Sequence, residues 1–524
     1  MRSPSRHLIS ERIRHLISER VASRRRAFRA GSGVVALLPM GVMLALGLWG
    51  LDGRAMWRDE AATYLAARRT VPQLWELLGT VDAVHGLYYL LMHAVLALRA
   101  DELALRLPSV AAAVCTTGLV TAMGHRLTGR RRVGIWAGLL YAATPMVGHY
   151  AQEGRSYALV AMGAALATWL LIDAVEQGGP GDGDGLGDGG GLGDGGGTGG
   201  AVGAGRWVAY GAVVCLTALM HVCAVLVLAA HAATLLVGRV PGAVWRRWGA
   251  AAGVAGAALL PLLLVSHGQA AQVSWIPAPG LPQARALLRG FAGPSGLVLT
   301  VNLLLVAVAL VRPPRRVGRL SVPAIALPLA LVPSAALFAA SQREALFLDR
   351  YLFFALAGVP LLAAAGAERI ASALPWPRGT AVVGCATIAA AFLWQLPLHT
   401  RERGPAARAD DLGLAAAELG RVTRPGDAVL YAPPYARRVT LAYPHRVTGL
   451  RDVALGKDGP SSGTLYGREA GARDLAARLA GERRVWVLAE PGGVQGPKAR
   501  ALREGFRPVF ALCLADGTLT LYAR

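Results

Sequence analysis

Apolar runs close to 18 residues long and almost free of charge recur from Val34 to Leu396. A helix needs about that length to cross roughly 30 Å of hydrocarbon, and in lipid every backbone polar group must be satisfied internally. A chain built this way folds as a polytopic α-helical membrane protein. With 54% hydrophobic and 16% charged residues over 524 positions, and a mean hydropathy of +0.43, a string of soluble domains is excluded.

Candidate spans fall at about 34–51, 107–124, 133–148, 156–175, 207–220, 222–238, 248–265, 297–311, 320–340, 351–368 and 379–396, about eleven crossings in all. The run from Leu87 to Leu98 is excluded, because about 12 residues of helix cover only about 18 Å and Asp101, Glu102 and Arg106 follow at once. It is expected to lie in the membrane interface.

Loop charge tests that choice. If residues 1–33 form a basic cytoplasmic tail, the Arg-dense loops Gly124–Arg132, Arg239–Arg247 and Arg312–Arg319 and the turn Pro375–Arg378 all fall inside, as the positive-inside rule requires. Counting Leu87–Leu98 as a span would turn all of them outward. The outer segments are then Asp52–Arg106, His149–Arg155, Ser266–Gly296, Ser341–Arg350 and everything after residue 396.

The net charge of +22 is spread over these short loops and forms no continuous stripe, which argues against a nucleic-acid partner. Four of the five cysteines (Cys115, Cys215, Cys223, Cys385) sit in apolar runs and Cys513 stands alone, so neither a disulfide framework nor a zinc site is indicated. The first apolar run is long enough to stay as an anchor and is not read as a cleavable signal. A tandem repeat fills the tail, Arg6–Arg12 followed by Arg14–Arg20, and is given no role.

Residues 34–396 are thus read as the membrane unit, interrupted by a flexible Gly-rich linker at 178–205. Residues 397–524 read as a small extracytoplasmic α/β domain. Its expected elements are a helix from Asp410 to Leu419, a turn at Pro425-Gly426-Asp427, and strands at Ala428–Tyr431, Arg484–Leu488, Val509–Leu514 and Thr518–Tyr522, with a turn at Asp516-Gly517.

Chemistry-bearing residues concentrate in the outer segments. Trp57-Arg58-Asp59-Glu60-Ala61 opens a short helix to Arg69, with Asp59 where an N-cap belongs, and Pro72 opens another to Leu78. Asp82-Ala83-Val84-His85-Gly86-Leu87-Tyr88-Tyr89 leads into the interfacial helix, and Leu105-Arg106-Leu107-Pro108-Ser109 enters the second span. His149-Tyr150-Ala151-Gln152-Glu153-Gly154-Arg155-Ser156-Tyr157 packs acids, bases and hydrogen-bonding groups between two spans. Gln342-Arg343-Glu344 and Asp349-Arg350-Tyr351 precede the tenth span, where a guanidinium can fork onto a lipid phosphate. The plain alternatives are a capping acid, an Arg–Glu pair tying helix ends, and interfacial anchors. No His or carboxylate cluster has metal-ligand spacing, and His93 is expected to be packed.

Taken in order, Asp59-Glu60-Ala61, then Asp82, then His85-x-x-Tyr88-Tyr89-Leu90-Leu91, then Arg106-Leu107-Pro108-Ser109 resembles the GT-C superfamily of glycosyltransferases. The bacterial branch it is similar to contains protein O-mannosyltransferases and aminoarabinose transferases. The resemblance covers roughly residues 34–370 and implies two juxtamembrane helices after the first span, as the length argument requires independently. Where the family pattern follows the His with Pro-Pro, this chain has Gly86-Leu87.

The resemblance implies transfer of a sugar, mannose or similar, from a polyprenyl-phosphate donor to an envelope acceptor (protein, lipid or polysaccharide) on the outer face of a bacterial plasma membrane. Asp59 is expected to act as the base, with Glu60 and Glu153 as further catalytic carboxylates. Asp82, His85, Tyr88, Tyr89, Gln152, Arg155, Tyr157, Arg343, Arg350 and Tyr351 are expected to bind substrate, and a divalent cation is a possible cofactor. A multi-pass transporter is the competing class. It would place charges near the midplane, whereas here the spans hold few ionisable residues, His221 and His231 chief among them.

Overall fold

The structure is a computed structural model describing residues 34–177, 197–314, 317–404, 407–408, 410–514 and 517–524. The basic tail, most of the Gly-rich linker, and Asp516 of the expected last turn lie outside the described residues.

Each expected apolar span is occupied by helix. The membrane unit runs α1 (Val34–Leu48), α2 (Arg58–Ala67), α3 (Val71–Leu78), α4 (Gly86–Leu98), α5 (Glu102–Thr128), α6 (Arg131–Ala142), α7 (Pro145–Ala151), α8 (Tyr157–Gln177) and α9 (Gly197–Met220). It continues through α10 (Leu226–Val237), α11 (Gly242–Gly268), α12 (Leu281–Ala292), α13 (Gly296–Val311), α14 (Val322–Ala340), α15 (Gly358–Ala371), α16 (Pro377–Trp394) and α17 (Leu396–Arg401).

Among the described residues, six helices are long and apolar enough to cross a membrane unaided, or seven if α12 and α13, bent by 79°, count as one. The difference from eleven lies in three apolar helices shorter than the 18 residues a crossing needs, Val34–Leu48, Val222–Val237 and Gly379–Trp394, and in the divided segment at 133–148. Pro145 cannot donate to the ladder, so the segment expected at 133–148 divides into α6 and α7. The segment at 222–238 begins as a 3-10 turn, Val222–Val225, and the one at 351–368 as a 3-10 helix, Asp349–Ala357. The end of the expected linker is also corrected: Gly197–Gly205 forms the first turns of α9.

The short helices after the first span are as expected. Thr70 and Gln73 close a capping box on α3, and α4 is 13 residues long. The start of α2 differs: its N-cap is Trp57, which offers no side-chain cap, and Asp59 lies within the first turn.

The C-terminal part is an α/β unit with helices α18 (Leu412–Val422), α19 (Arg438–Ala442), α20 (Gly459–Ser462), α21 (Ala472–Ala480) and α22 (Gly496–Arg503). Its strands are β1 (Ala428–Ala432), β2 (Arg451–Asp452), β3 (Leu455–Lys457), β4 (Arg468–Glu469), β5 (Arg484–Ala489), β6 (Arg507–Leu514) and β7 (Gly517–Ala523). The main sheet has the order β2-β1-β5-β7-β6, parallel across β2, β1 and β5 and antiparallel beyond. β3 and β4 pair separately. β1 is buried along its whole length, as a strand covered on both faces must be.

This unit is not an accessory packed against the outside. One hydrophobic core joins Met56, Ala61, Tyr64, Leu74, Tyr88 and Met92 of the first outer segment to Leu412, Tyr431, Val439, Tyr443 and Trp486 of the C-terminal part. A separate core, centred on Trp136, Phe353 and Phe354, holds the membrane helices together.

Candidate active site

α2 carries two adjacent carboxylates with opposite fates. Glu60 points inward and forms a two-point ion pair with Arg106 of α5, at 2.8 Å (Nε) and 2.7 Å (Nη2), with both side chains only 2% exposed. It also accepts the Gly154 N–H at 2.9 Å, and Arg106 donates further to the carbonyls of Leu51, Arg54 and Ala55. Burial pushes the Glu60 carboxyl up, but Arg106 and the Gly154 N–H pull it net below its ordinary value. The expected catalytic role of Glu60 is therefore corrected: its lone pairs are spent on fixing the outer segment.

Asp59 faces the other way. Arg350, at the start of the 3-10 helix Asp349–Ala357, brings Nη2 to 4.0 Å from Asp59 Oδ2, with side chains 20% and 24% exposed. Arg155 is the hub between them and the juxtamembrane segment. Its Nη1 donates at 3.4 Å to the Asp59 carbonyl, to Thr63 Oγ1 and to the Tyr89 hydroxyl, and its Nη2 to His85 Nε2 at 2.7 Å. Tyr89 in turn donates to Asp82 Oδ2 at 2.8 Å.

Asp82 adopts a left-handed conformation, φ 55°, to turn the chain into the helix. It does so as an Asp, one of the few residue types that tolerates it. Burial, then the Arg155 charge, then His221 press the His85 imidazole well below its ordinary pKa. A neutral ring is what lets Nε2 accept from the guanidinium.

Aromatic rings wall the cluster. Tyr157 packs on Tyr150 at 5.6 Å, His221 at 5.8 Å and Tyr351 at 6.4 Å between ring centroids, and His221 on His85 at 5.2 Å. Arg350 lies over Trp275 at 6.0 Å and Tyr351 at 5.8 Å. Among the described residues, Trp57 Nε1, Tyr88 Oη, Glu153 Oε1, Arg155 Nε and Arg350 Nε are buried polar atoms with no hydrogen-bond partner. Such atoms are rare in folded proteins. Two of them, Arg155 Nε and Arg350 Nε, belong to the guanidinium groups of the cluster.

Of the expected residues, Asp59, Asp82, His85, Tyr89, Arg155, Tyr157, Arg350 and Tyr351 come together, with Tyr88 buried beside them. Besides Glu60, three lie outside this group. Gln152 spends its amide on the Gly47 and Trp49 carbonyls, at 3.0 and 2.7 Å, and accepts from Arg54. Arg343 is exposed and makes no hydrogen bond to the cluster. Glu153 is 1% exposed and pairs with Arg408 at 3.4 Å, with His149 Nε2 at 3.9 Å, so its partners lie outside the Asp59–Arg155–Arg350 group. Among the described residues, no group of three or more His, Cys, Asp and Glu is placed to hold a metal ion.

His221, Trp275 and Tyr466 belong to the site without having been expected there. His221 carried a signal: an ionisable residue inside an apolar stretch is costly and usually functional. Tyr466, on the segment between α20 and β4, lies within electrostatic reach of Asp59, Asp82 and Arg155; burial pushes its hydroxyl up and Arg438 opposes this. No local pattern could have placed a residue from the C-terminal part there.

A cavity of about 930 Å³ lies elsewhere, between α6, α13, α15 and α16, and is lined by apolar residues such as Trp136, Leu140, Val301 and Trp394.

Residues 86–193 match the model of the dolichyl-phosphate-mannose-protein mannosyltransferase family. Comparison with curated protein sequences finds no significant match. Among solved structures, the chain is similar to ArnT from Cupriavidus metallidurans in the apo state, at 13% identity over 94% of this chain and 98% of that one, with a TM-score of 0.59. It is similar to the same protein bound to undecaprenyl phosphate, at 13% identity over 93% and 97% of the two chains, with a TM-score of 0.57. The Archaeoglobus fulgidus oligosaccharyltransferase in complex with Zn and sulfate aligns at 11% identity over 93% of this chain and 72% of that one, with a TM-score of 0.50. At these identities the structural likeness is one of fold: the chain is a multi-pass membrane protein of the GT-C glycosyltransferase fold, carrying over residues 86–193 the pattern of a mannosyltransferase family.

Proposed function

We propose that this protein is a membrane glycosyltransferase that moves a sugar from a polyprenyl-phosphate carrier to a hydroxyl of an envelope acceptor on the outer face of the membrane. The observation that carries the reading is one accessible carboxylate, Asp59, with the Arg350 guanidinium 4.0 Å away and a second guanidinium, that of Arg155, held on the Asp59 backbone carbonyl. The ArnT neighbour bound to undecaprenyl phosphate supports a lipid-phosphate donor, and the matched mannosyltransferase family supports mannose or a related sugar.

A hydroxyl is a poor nucleophile at neutral pH, whereas a phosphate on the anomeric carbon is already a fair leaving group. Asp59 accepts the acceptor's proton as its oxygen attacks the anomeric carbon. The bond from that carbon to the phosphate oxygen breaks, and Arg350 and Arg155 hold the departing phosphate. A single displacement inverts the anomeric centre. Proton transfer and charge stabilisation each supply about 3 to 5 kcal/mol.

The burial of the cluster's donors strengthens them, since water would otherwise screen the developing charge. Asp82, through Tyr89, and His85 fix the orientation of Arg155. Outward placement of the cluster and of residues 397–524 rests on the loop-charge pattern. Incubating purified protein with a panel of polyprenyl-phosphate sugars, followed by mass spectrometry of the products, tests the reading. Transfer by the native protein and its loss in Asp59→Asn is the expected result; transfer at full rate by that variant removes Asp59 from the role of base.

A further inference from the structure

The C-terminal unit holds a second cavity, about 190 Å³, against the face of β1 that carries Val429 and Tyr431 and beside the short edge strand β2. Its wall includes Tyr431, Arg437, Thr440, Asp452, Asp458 and Tyr466.

The charges in this wall are already balanced against each other. Arg437 pairs with Asp452 and, at 3.1 Å, with Glu469, which also binds Lys498. One arginine then faces two aspartates, so an anion gains nothing here. What remains for neutral hydroxyl groups is acceptor capacity: the Asp458 carboxylate, which uses Oδ1 on the Ser461 N–H at 2.7 Å, and one lone pair of the Thr440 hydroxyl, which accepts from Tyr431 at 2.9 Å and donates to the Arg437 carbonyl at 3.1 Å. Leu441, Leu450 and Leu455 supply the apolar wall. The volume is below the roughly 300–1,000 Å³ of pockets for drug-sized ligands and matches a single sugar ring.

The cavity is also tied to the catalytic cluster. Its wall segment 458–466 is fastened to the juxtamembrane helices: Arg69 donates to the Thr464 and Leu465 carbonyls at 2.6 and 3.3 Å, and Thr80 to the Gly463 carbonyl at 2.5 Å. Tyr466, at the end of this segment, lines the cavity. We propose that this cavity is a saccharide subsite, holding one neutral sugar unit of the acceptor. The assignment to an acceptor rests on the glycosyltransferase reading; the assignment to a saccharide does not.

The test is saturation-transfer NMR of a panel of methyl glycosides of hexoses and pentoses on the full-length protein in detergent. At least one glycoside is expected to respond, with the response reduced at least fivefold in Leu441→Trp, which fills the cavity, and in Asp458→Ala, and retained in Asp59→Asn. Leu441 is 40% exposed and Asp458 is exposed, so both substitutions are made at accessible positions. Silence across the panel, a response indifferent to both cavity variants, or one lost in Asp59→Asn would each overturn the subsite. If the glycosides bind as expected but no polyprenyl-phosphate sugar is turned over, the glycosyltransferase reading fails and the saccharide site stands.

Discussion

Asp410 accepts the backbone N–H of Arg58 at 3.0 Å, capping the helix that bears Asp59 from 352 positions further along the chain. The same carboxylate takes the Arg58 side chain at 2.9 Å. A helix N-terminus leaves unsatisfied N–H groups that a nearby Asp usually serves. Here the cap is supplied from a distance, and Asp59, which could have filled that role locally, is left to face Arg350.

Removing the cap should therefore cost more than the local helix. Asp410→Ala is expected to destabilise the fold by about 1 to 2 kcal/mol and to raise the KM for donor as the Asp59–Arg350 spacing loosens. Melting in detergent and transfer kinetics on one preparation check both.

Glu60 and Asp59 should separate cleanly by phenotype. Glu60→Gln leaves Arg106 buried without a counter-charge, a loss of about 3 to 5 kcal/mol, so the expected outcome is poor yield and early unfolding. Asp59→Asn should express and melt like the native protein while kcat falls by about 10² to 10⁴-fold. Size-exclusion profiles alongside transfer assays distinguish the two.

Arg350→Ala is expected to lower kcat by about 10² to 10³-fold. Arg350→Lys should recover only part of this, because an ammonium keeps the charge but not the planar fork. Single-turnover rates with a saturating polyprenyl-phosphate sugar measure the difference.

The buried His85 makes stability depend on pH in a defined direction. Its folded pKa lies well below the ordinary value because of burial, Arg155, His221 and Arg350. In the unfolded chain it takes a proton near pH 6.5. The stabilisation is fully present above about pH 6.5 and declines as pH falls below it, by about 1.4 kcal/mol per pH unit while only the unfolded form is protonated. Apparent Tm should fall between pH 7 and pH 5, and His85→Gln should flatten part of that slope.

The membrane character, the short interfacial helix and most of the polar cluster were legible because each depends on local pattern. The helix at Gly86–Leu98 was expected from its run of apolar residues, and the family-like order of Asp59, Asp82, His85 and Arg106 lies in the segment that forms the cluster. What was not legible is which side of a helix a charge faces. Glu60 and Asp59 are neighbours, yet only the approach of Arg106 and Asp410 assigns one to structure and the other to the cleft. Gln152 and Arg155 divide in the same way, three positions apart. Helix breaks at Pro145 and before Gly358 escaped a reading based on hydropathy, and Tyr466 could be placed only by the shared core of the first outer segment and the C-terminal part.

That shared core sets an order of assembly. The partners of Arg58, Arg69 and Thr80 are made between 352 and 395 residues later. At ~5–20 residues per second of synthesis, the first outer segment waits tens of seconds, already past the first span, with its helix uncapped and its apolar face uncovered. During that interval it is a client for whatever holds exposed segments at the membrane surface, and the cleft is completed only when the last part of the chain has been delivered to the same side.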